Sequence, residues 1–410
     1  YGDRMFAYVA RQPIVDTSQQ LYAYELLFRD GEKNCFPNIS PDEATSRILA
    51  ASHLNVGLES VTNGAQAFIN FHTDTLLYRF PTSLDPKNVV IEITETVDVS
   101  DDLVEACKQI NSQGYRLALD DYDLEEKWQV LLPLISIIKF DITTVTDEQI
   151  REAVPLLKAH NIKLVAERVE TKEQFHYYRQ LGFDYFQGYF FARPEVIRHR
   201  KMSSSAVNML ELLKESTAAE LNIENINTIL ERDVSLSYLL LRFINNPTVN
   251  KRNEITSLKH AMNFMGEQEV RKFIALLSLA NLSDGQPGEI LSMSLVRARF
   301  CELILVAMKD HSKPNSGFLT GMLSLIDTLM EQEMRELVSK LPLPGDVSGA
   351  LCGENNQLKQ CLHLATAFER GQWGIVRAIG TRFGLTQKQL HEIYISALSW
   401  AAALQNEVRN

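Results

Sequence analysis

Short apolar segments alternate with helical segments in the first half of the chain, and this alternation limits the fold more than any other feature. The apolar segments are rich in β-branched and aromatic residues and mostly apolar on both faces, as parallel strands covered by helices require. They span residues 7–15, 22–29, 67–71, 89–94, 116–121, 136–142, 163–169 and 185–191, and helices are expected over 41–58, 101–112, 147–160 and 172–181. Eight strands with interleaved helices before about residue 197 predict a compact α/β barrel of TIM type.

The first two strands depart from this pattern. Only the short segment from Asp16 to Leu21 lies between them, which is too short for a crossover helix. Parallel neighbours need a crossover, whereas antiparallel neighbours need only a turn. We therefore predict an antiparallel pair at the start of the barrel.

From about residue 203 the strand signals stop and helical spacing takes over. Thr386 is a suitable N-cap for an apolar series formed by Leu390, Ile393, Tyr394, Ala397, Leu398 and Ala401. Thr256 is expected to cap a helix over 257–265, and Gly266 to end it. We predict a barrel over residues 1–197, a linker over 198–205 and an all-helical domain over 206–410.

Composition limits the classes of partner and the compartment. With 41 Lys and Arg against 52 Asp and Glu, the net charge of -11 disfavours nucleic acid polymers and anionic membranes as ligands. Five cysteines without metal-ligand spacing are typical of reduced thiols. No apolar run reaches the roughly 18 residues of a membrane helix, and no signal-peptide pattern is found. We expect a cytoplasmic protein that does not bind membranes.

Polar residues lie at or near the ends of almost all the predicted strands. They are Glu25, Asn70, Glu92, Glu95, Asp120, Asp121, Lys139, Asp141, Glu167 and Gln187. From Glu25 to Gln187 the gaps between successive strands are 45, 22, 28, 21, 26 and 20 residues, which is about the length of a βα unit. Since the carboxyl ends of barrel strands meet at one face, these side chains are expected to converge there.

A carboxylate in an apolar strand costs several kcal/mol unless it is paired or binds a metal. Oxygen donors without Cys or His favour Mg²⁺ or Mn²⁺. Asp120 and Asp121 are adjacent and can serve two neighbouring ions, with Asp120 as the bridge. Ions about 3.5 to 4 Å apart support attack of water on a phosphodiester. The alternative is a set of internal salt bridges. Lys139 and Arg29 are the cations available for it, and they are few compared with the carboxylates.

The order of short motifs resembles an EAL domain, the barrel that hydrolyses the bacterial second messenger cyclic di-GMP to linear pGpG. The resemblance runs from residues 11–16 (Arg-Gln-Pro-Ile-Val-Asp) to residues 187–194 (Gln-Gly-Tyr-Phe-Phe-Ala-Arg-Pro). It implies one metal on Glu25, Asn70, Glu92 and Asp120, and a second on Asp121, Asp120 and Glu167. It further implies that Lys139 contacts the attacking water or the phosphate, that Glu167 and Gln187 belong to the catalytic site, that Gln12 and Arg29 contact the dinucleotide, and that Glu95 anchors the loop after Asp121.

Three positions depart from that family. The signature tripeptide reads Glu25-Leu26-Leu27, which keeps the metal ligand. The loop at residues 122–128 has lost the two usual glycines and gained acidic residues, which leaves the second metal and a homodimer open. Arg168 stands where glycine is usual, and either blocks substrate or contacts a phosphate.

The second half resembles an HDOD domain, a helical relative of the HD phosphohydrolases, at residues 233–245 and 255–266. Ser324 and Leu325 stand where a catalytic HD domain carries His-Asp, so we expect a non-catalytic module that binds a protein partner. For the whole chain, the resemblance implies a bacterial cyclic di-GMP signalling protein. Three hypotheses stay open: a phosphodiesterase that depends on Mg or Mn, an inactive receptor for cyclic di-GMP or proteins, and a scaffold without nucleotide.

Overall fold

The computed structural model describes residues 8–29, 61–71, 73–78, 84–192, 204–218, 220–231, 240–241, 244–245, 255–282, 288–308 and 314–409. The helix expected over 41–58, linker residues 198–203 and most of the motif at 233–245 lie outside this part of the chain. The protein divides into two compact units, one comprising Tyr1–Arg193 with Phe368–Trp373 and the other Pro194–Ala367 with Gly374–Asn410. No helix in the described ranges is long and apolar enough to span a membrane.

The first unit is a closed barrel of eight strands in chain order. The strands are β1 (Tyr8–Asp16), β2 (Leu21–Arg29), β3 (Gln66–Phe71), β4 (Val89–Ile93), β5 (Arg116–Leu119), β6 (Ile135–Asp141), β7 (Lys163–Glu167) and β8 (Tyr185–Gln187). Strand β1 runs antiparallel to both β2 and β8, and the other neighbours are parallel. The barrel and its antiparallel first pair are therefore confirmed.

One apolar side chain from almost every strand fills the middle of the barrel. This layer consists of Ile14, Ala23, Phe68, Val90, Ala118, Ile137 and Val165, all essentially inaccessible to water. Tyr22 and Tyr185 pack against it and stack on each other with ring centroids 3.8 Å apart. The layer makes the barrel a packed core and not a pore, so access is left only at the ends.

Four helices of the barrel unit lie within the described residues: α1 (Thr73–Tyr78), α2 (Asp101–Ser112), α3 (Asp147–Ala159) and α4 (Lys172–Leu181). Short 3₁₀ helices span Glu126–Val130, Leu132–Leu134 and Phe190–Ala192. Thr146 and Thr171 begin α3 and α4 with capping boxes in which Gln149 and Gln174 return the hydrogen bond. These caps satisfy amide groups that a helix leaves without partners at its start.

The second unit is helical throughout its described residues, as predicted. Its helices are α5 (Ser204–Thr217), α6 (Ile223–Glu231), α7 (Leu258–Met265), α8 (Glu267–Leu282), α9 (Gly288–Ala307), α10 (Pro314–Met322), α11 (Ile326–Met330), α12 (Met334–Ser339), α13 (Gly345–Leu351), α14 (Gln357–Glu369), α15 (Trp373–Arg382) and α16 (Gln387–Arg409), with a 3₁₀ turn at Leu323–Leu325.

Two of the predicted caps can be compared with the structure. Thr386 accepts a hydrogen bond from the Gln389 amide before α16, as expected. The cap of α7 is Ser257 and not Thr256, because the Ser257 side chain accepts from the His260 amide. Neighbouring hydroxyl residues compete for a cap, and the backbone path decides between them. Gly266 ends the helix with a positive φ of 86°.

Helices α9 and α10 approach so closely that only glycine fits between them at two positions. A Cβ atom at Gly321 would lie 2.2 Å from the Arg297 carbonyl oxygen, and one at Gly317 would lie 2.9 Å from the Cys301 carbonyl oxygen. Side chains three or four residues apart share one face of a helix, so the two glycines form one contact surface. This surface replaces side-chain packing with backbone packing in the centre of the helical unit.

Candidate active site

A polar layer lies directly on the apolar layer of the barrel. Two residues beyond the apolar residue, the strands place a polar one: Glu25 after Ala23, Asn70 after Phe68, Glu92 after Val90, Asp120 after Ala118, Lys139 after Ile137 and Glu167 after Val165. On the reversed strand β1 the equivalent residue is Gln12, two positions before Ile14. Because side chains alternate along a strand, a step of two residues stays on the same face and moves up one level.

Lys139 occupies the centre of this polar layer, and its side chain is completely buried. Its ammonium group lies 3.2 Å from Glu25 Oε2, 2.8 Å from Glu92 Oε1, 2.9 Å from Asp120 Oδ1 and 2.9 Å from Glu167 Oε1. Burial by itself lowers the pKa of a lysine, but the four carboxylates, Asp120 foremost, raise the Lys139 pKa well above its usual value. Lys139 is therefore a fixed cation in this site.

One cation does not neutralise four carboxylates. Burial raises the pKa of Glu92 well above its usual value, Lys139 opposes this, and the neighbouring charges of Asp120 and Glu25 add to it. The pKa of Glu167 is raised in the same way, again chiefly by burial. Burial and like charges make these carboxyl groups difficult to ionise. A further cation next to them would stabilise their charged form. The charges of the site therefore favour the binding of a cation.

The donor atoms also fit a metal ion. Glu25, Glu92 and Asp120 each offer a carboxylate oxygen within 4.8 Å of the others. The amide oxygen of Asn70 lies 3.2 Å from Glu92 Oε2 and 3.3 Å from Asp120 Oδ2; with the amide reversed, Nδ2 donates to both instead. Glu92 Oε1, although close to Lys139 Nζ, accepts no hydrogen bond of good geometry from the described residues. Converging oxygens of this kind are what Mg²⁺, Mn²⁺ or Ca²⁺ requires.

Asp121 lies beside this group on the open side of the layer. It has a positive φ of 45°, so the chain turns sharply after β5 and brings the second carboxylate to the cleft. Burial, followed by the charge of Asp120, raises the pKa of Asp121 to about 6. The Tyr122 amide donates to the Lys139 carbonyl oxygen at 2.9 Å, which ties this turn to β6. Asp121 is thus in place to hold a second ion next to Asp120.

The loop that follows has a defined structure without the usual glycines. Trp128 is fully buried, and its Nε1 donates to Asp123 Oδ1 at 2.7 Å. The same oxygen accepts from the Glu125 amide at 3.0 Å. Lys127 Nζ donates to the Glu95 carbonyl oxygen at 3.1 Å, so Glu95 contacts the loop through its backbone. Sequence reasoning marked this loop as altered but did not find that Asp123, Lys127 and Trp128 hold it.

Of the other residues predicted from the sequence, some belong to the polar layer around Lys139 and others lie outside it. Gln187 Nε2 donates to Glu25 Oε2 at 2.6 Å and to Gln12 Oε1 at 2.9 Å, so both glutamines belong to the layer. Arg29 is the last residue of β2, and its side chain is outside the described part. Asp141 is apart from the Lys139 cluster, since it accepts from Thr143 and pairs with Arg168 at 3.2 Å.

A cleft opens above the polar layer. From the barrel it is lined by Gln12, Glu25, Asn70, Thr94, Glu95, Thr96, Asp120, Asp121, Glu167, Arg168, Glu170 and Gln187, with Gly188 and Tyr189. Thr94, Thr96 and Glu170 were not among the residues expected at the site. The signal that points to them is their place directly after β4 and β7, where barrel residues reach the cleft.

Comparisons with known proteins agree with this architecture. Residues 53–194 match the EAL domain family, and residues 202–341 match the HDOD domain family. Over 98% of its length the chain is 36% identical to the uncharacterized protein YuxH of Bacillus subtilis, covering 100% of it. It is 35% identical, again over 98% of its length, to cyclic di-GMP phosphodiesterase CdgJ of Vibrio cholerae, covering 94% of that protein.

Among solved structures, the calcium and cyclic di-GMP complex of Klebsiella pneumoniae BlrP1 is 25% identical, with a TM-score of 0.37. The match covers 46% of this chain and 55% of the BlrP1 chain. Two full-length relatives above 30% identity, together with the two domain matches, show the relationship. The chain belongs to the family of proteins that join an EAL domain to an HDOD domain.

Proposed function

We propose that the barrel binds divalent cations, Mg²⁺ or Mn²⁺, and hydrolyses cyclic di-GMP to linear pGpG. The observation that carries the proposal is the buried ring of carboxylates, Glu25, Glu92, Asp120 and Glu167, around Lys139 at the base of an open cleft. The full-length similarity to a cyclic di-GMP phosphodiesterase supports the choice of substrate. A second messenger acts inside the cell, so this function entails a cytoplasmic location.

The residues divide into two ion sites. Glu25, Asn70, Glu92 and Asp120 hold one ion, and Asp121 with Asp120 and Glu167 holds the second. When bound, the ions supply a nucleophilic water at neutral pH and stabilise the charge of the phosphodiester. The protein itself contributes position: Lys139 fixes the carboxylates, and Gln187 donates to the same oxygen of Glu25 that Lys139 contacts. Gln12 and Arg29 bind the dinucleotide in this proposal.

The proposal is tested by incubating the purified full-length chain with cyclic di-GMP and Mn²⁺ or Mg²⁺. We expect pGpG to form, and EDTA to stop its formation. Glu25→Ala is expected to remove activity because Glu25 is one of the proposed ligands of the first ion. Glu105→Ala is the matched control, since that carboxylate is 60% exposed, lies on α2 and does not line the cleft. Absence of pGpG with both metals contradicts the proposal.

The alternative is a barrel that binds cyclic di-GMP without hydrolysing it. The observation that favours it is Arg168, a 65% exposed cation at the cleft where the family usually has glycine. A cation there attracts the phosphates and at the same time occupies space next to Glu167. Binding of cyclic di-GMP without pGpG in the incubation above supports this alternative, and turnover by Arg168→Gly then identifies Arg168 as the obstacle.

For the helical unit we propose a binding role for a protein partner or a second copy of the chain. The support is the Ser324-Leu325 pair in place of His-Asp, which supplies no metal ligands of the HD type. Hydrogen exchange on residues 204–409 with and without cyclic di-GMP and Mn²⁺ tests whether the barrel controls this unit. Unchanged protection despite proven ligand binding contradicts a control of that kind.

A further inference from the structure

We propose that Lys139 is an internal counter-ion that keeps the carboxylate layer assembled when no metal is bound. The inference rests on the proposed function, because it takes the layer to be a metal site. It assigns to Lys139 a role in the metal-free protein, separate from any contact with substrate.

Three carboxylates each turn one oxygen to Lys139 and the other to Asn70. The oxygens on the lysine side are Glu25 Oε2, Glu92 Oε1 and Asp120 Oδ1, at 2.8 to 3.2 Å from Nζ. On the other side, Glu25 Oε1 lies 3.5 Å from Asn70 Nδ2, and Glu92 Oε2 and Asp120 Oδ2 lie 3.2 and 3.3 Å from its amide oxygen. Lys139 therefore contacts one set of oxygens, and a second set faces Asn70, where an ion can join it.

The position of Lys139 is compatible with a structural role. The side chain has no exposure to water, so its charge is balanced by the protein alone. Glu92 is equally buried, and the side chains of Asp120 and Glu167 are only 12% exposed. Without the ammonium, four carboxyl groups would face one another in a medium that screens poorly, and removal of one partner from a buried ion cluster is strongly destabilising.

The inference predicts a specific dependence of stability on metal. For Lys139→Met, the midpoint of thermal unfolding without metal should fall by about 10 °C, the size expected for loss of a buried charge partner in a unit of this length. Saturating Mn²⁺ supplies positive charge to the same carboxylates. It should therefore raise the midpoint of Lys139→Met by more than it raises that of the wild type. The difference between the two midpoints should become smaller.

The experiment is differential scanning calorimetry of the full-length chain with EDTA or with Mn²⁺. Lys163→Met is the control, because Lys163 also pairs with a carboxylate, Asp184, but is 56% exposed. We expect a small shift for this variant that Mn²⁺ does not alter. If Lys139→Met fails to fold, the double variant Lys139→Met with Glu92→Gln removes the ammonium together with one of the carboxyl groups that face it, and recovery of a folded barrel supports the counter-ion role.

The outcomes separate the inference from the proposed function. A metal-free midpoint of Lys139→Met equal to that of the wild type overturns the inference. So does a Mn²⁺ effect of equal size in both proteins, or a double variant that is no more stable than the single one. If Mn²⁺ leaves the wild type unaffected, the metal site of the proposed function fails, while the metal-free comparison still decides whether Lys139 stabilises the layer.

Discussion

Each unit of the protein buries a basic side chain, but the two side chains have different surroundings. In the barrel, Lys139 faces four carboxylates beneath a cleft. In the helical unit, Arg297 donates to the Ser324 hydroxyl at 3.2 Å. Burial raises the pKa of the nearby Asp327, and the charge of Arg297 is among the smaller effects that oppose this rise. The backbone of Arg297 is pressed against Gly321.

The comparison shows what makes a buried charge cluster capable of binding a metal. The barrel contains more acid than its cation neutralises, and its oxygens meet below an opening. Within the described residues, the ring of Glu25, Glu92 and Asp120 is the group of three or more potential ligands close enough to share one ion. In the helical unit, Arg297 donates to Ser324, and backbone packing leaves no room for a side chain at Gly321.

The largest expected effect is in the packing of the helical unit. Gly321→Ala places a Cβ 2.2 Å from the Arg297 carbonyl, so α9 and α10 must separate, and we expect a loss of about 3 kcal/mol in the free energy of unfolding. Gly374→Ala is the control, because its Cβ meets nothing within 4 Å in a helix, and alanine there should stabilise by about 0.5 kcal/mol. Denaturant unfolding measures both. Equal stabilities would contradict the close approach of the two helices.

The next effect concerns the loop at residues 122–128, which follows Asp121. Trp128→Phe keeps the buried ring but loses the hydrogen bond to Asp123, which is worth about 1.5 kcal/mol because the acceptor is charged. If the loop positions the second ion, Mn²⁺ affinity at that site should fall about tenfold. Isothermal titration calorimetry tests this, with Trp400→Phe in the helical unit as the control. Unchanged Mn²⁺ affinity in Trp128→Phe would show that the loop does not position the ion.

The smallest effect is at Arg168. This residue has a positive φ of 58°, a conformation that costs a non-glycine residue about 1 kcal/mol. Its ion pair with the buried Asp141 involves an arginine side chain that is itself 65% exposed. Arg168→Gly should therefore unfold at a slightly higher temperature than Arg168→Ala, which loses the same ion pair but keeps a Cβ. Identical stabilities of the two variants would indicate that the backbone there is not strained.

The sequence was sufficient for the strands and for the polar layer, because both depend on local periodicity. In the strands that carry Glu25, Glu92 and Asp120, the polar residue lies two positions after the apolar one. This spacing is enough to assign the three residues to one polar layer of the barrel. It was not sufficient for the contacts across the barrel. The bond between Gln187 and Glu25 joins residues 162 positions apart, and no local pattern encodes it.

Local errors have local causes. The strand expected over 116–121 ends at Leu119, because Asp121 leaves the extended conformation for a positive φ. The cap of α7 moved by one residue, to Ser257, since two adjacent hydroxyl residues carry the same signal. The altered loop was recognised through the absence of glycine and the added acidic residues, whereas one of its actual supports, the complete burial of Trp128, depends on tertiary packing.

The most direct test of the account is to count Mn²⁺ ions bound to the full-length chain in the presence of cyclic di-GMP. The account predicts two ions for the wild type and for Asp327→Asn, which alters a partly buried acid of the helical unit. It predicts none for Asp120→Ala, which removes the ligand that both proposed ion sites share, with an unchanged circular dichroism spectrum. No uptake by the wild type, or the same uptake by Asp120→Ala, would contradict the claim that the acidic excess of the barrel is a metal site.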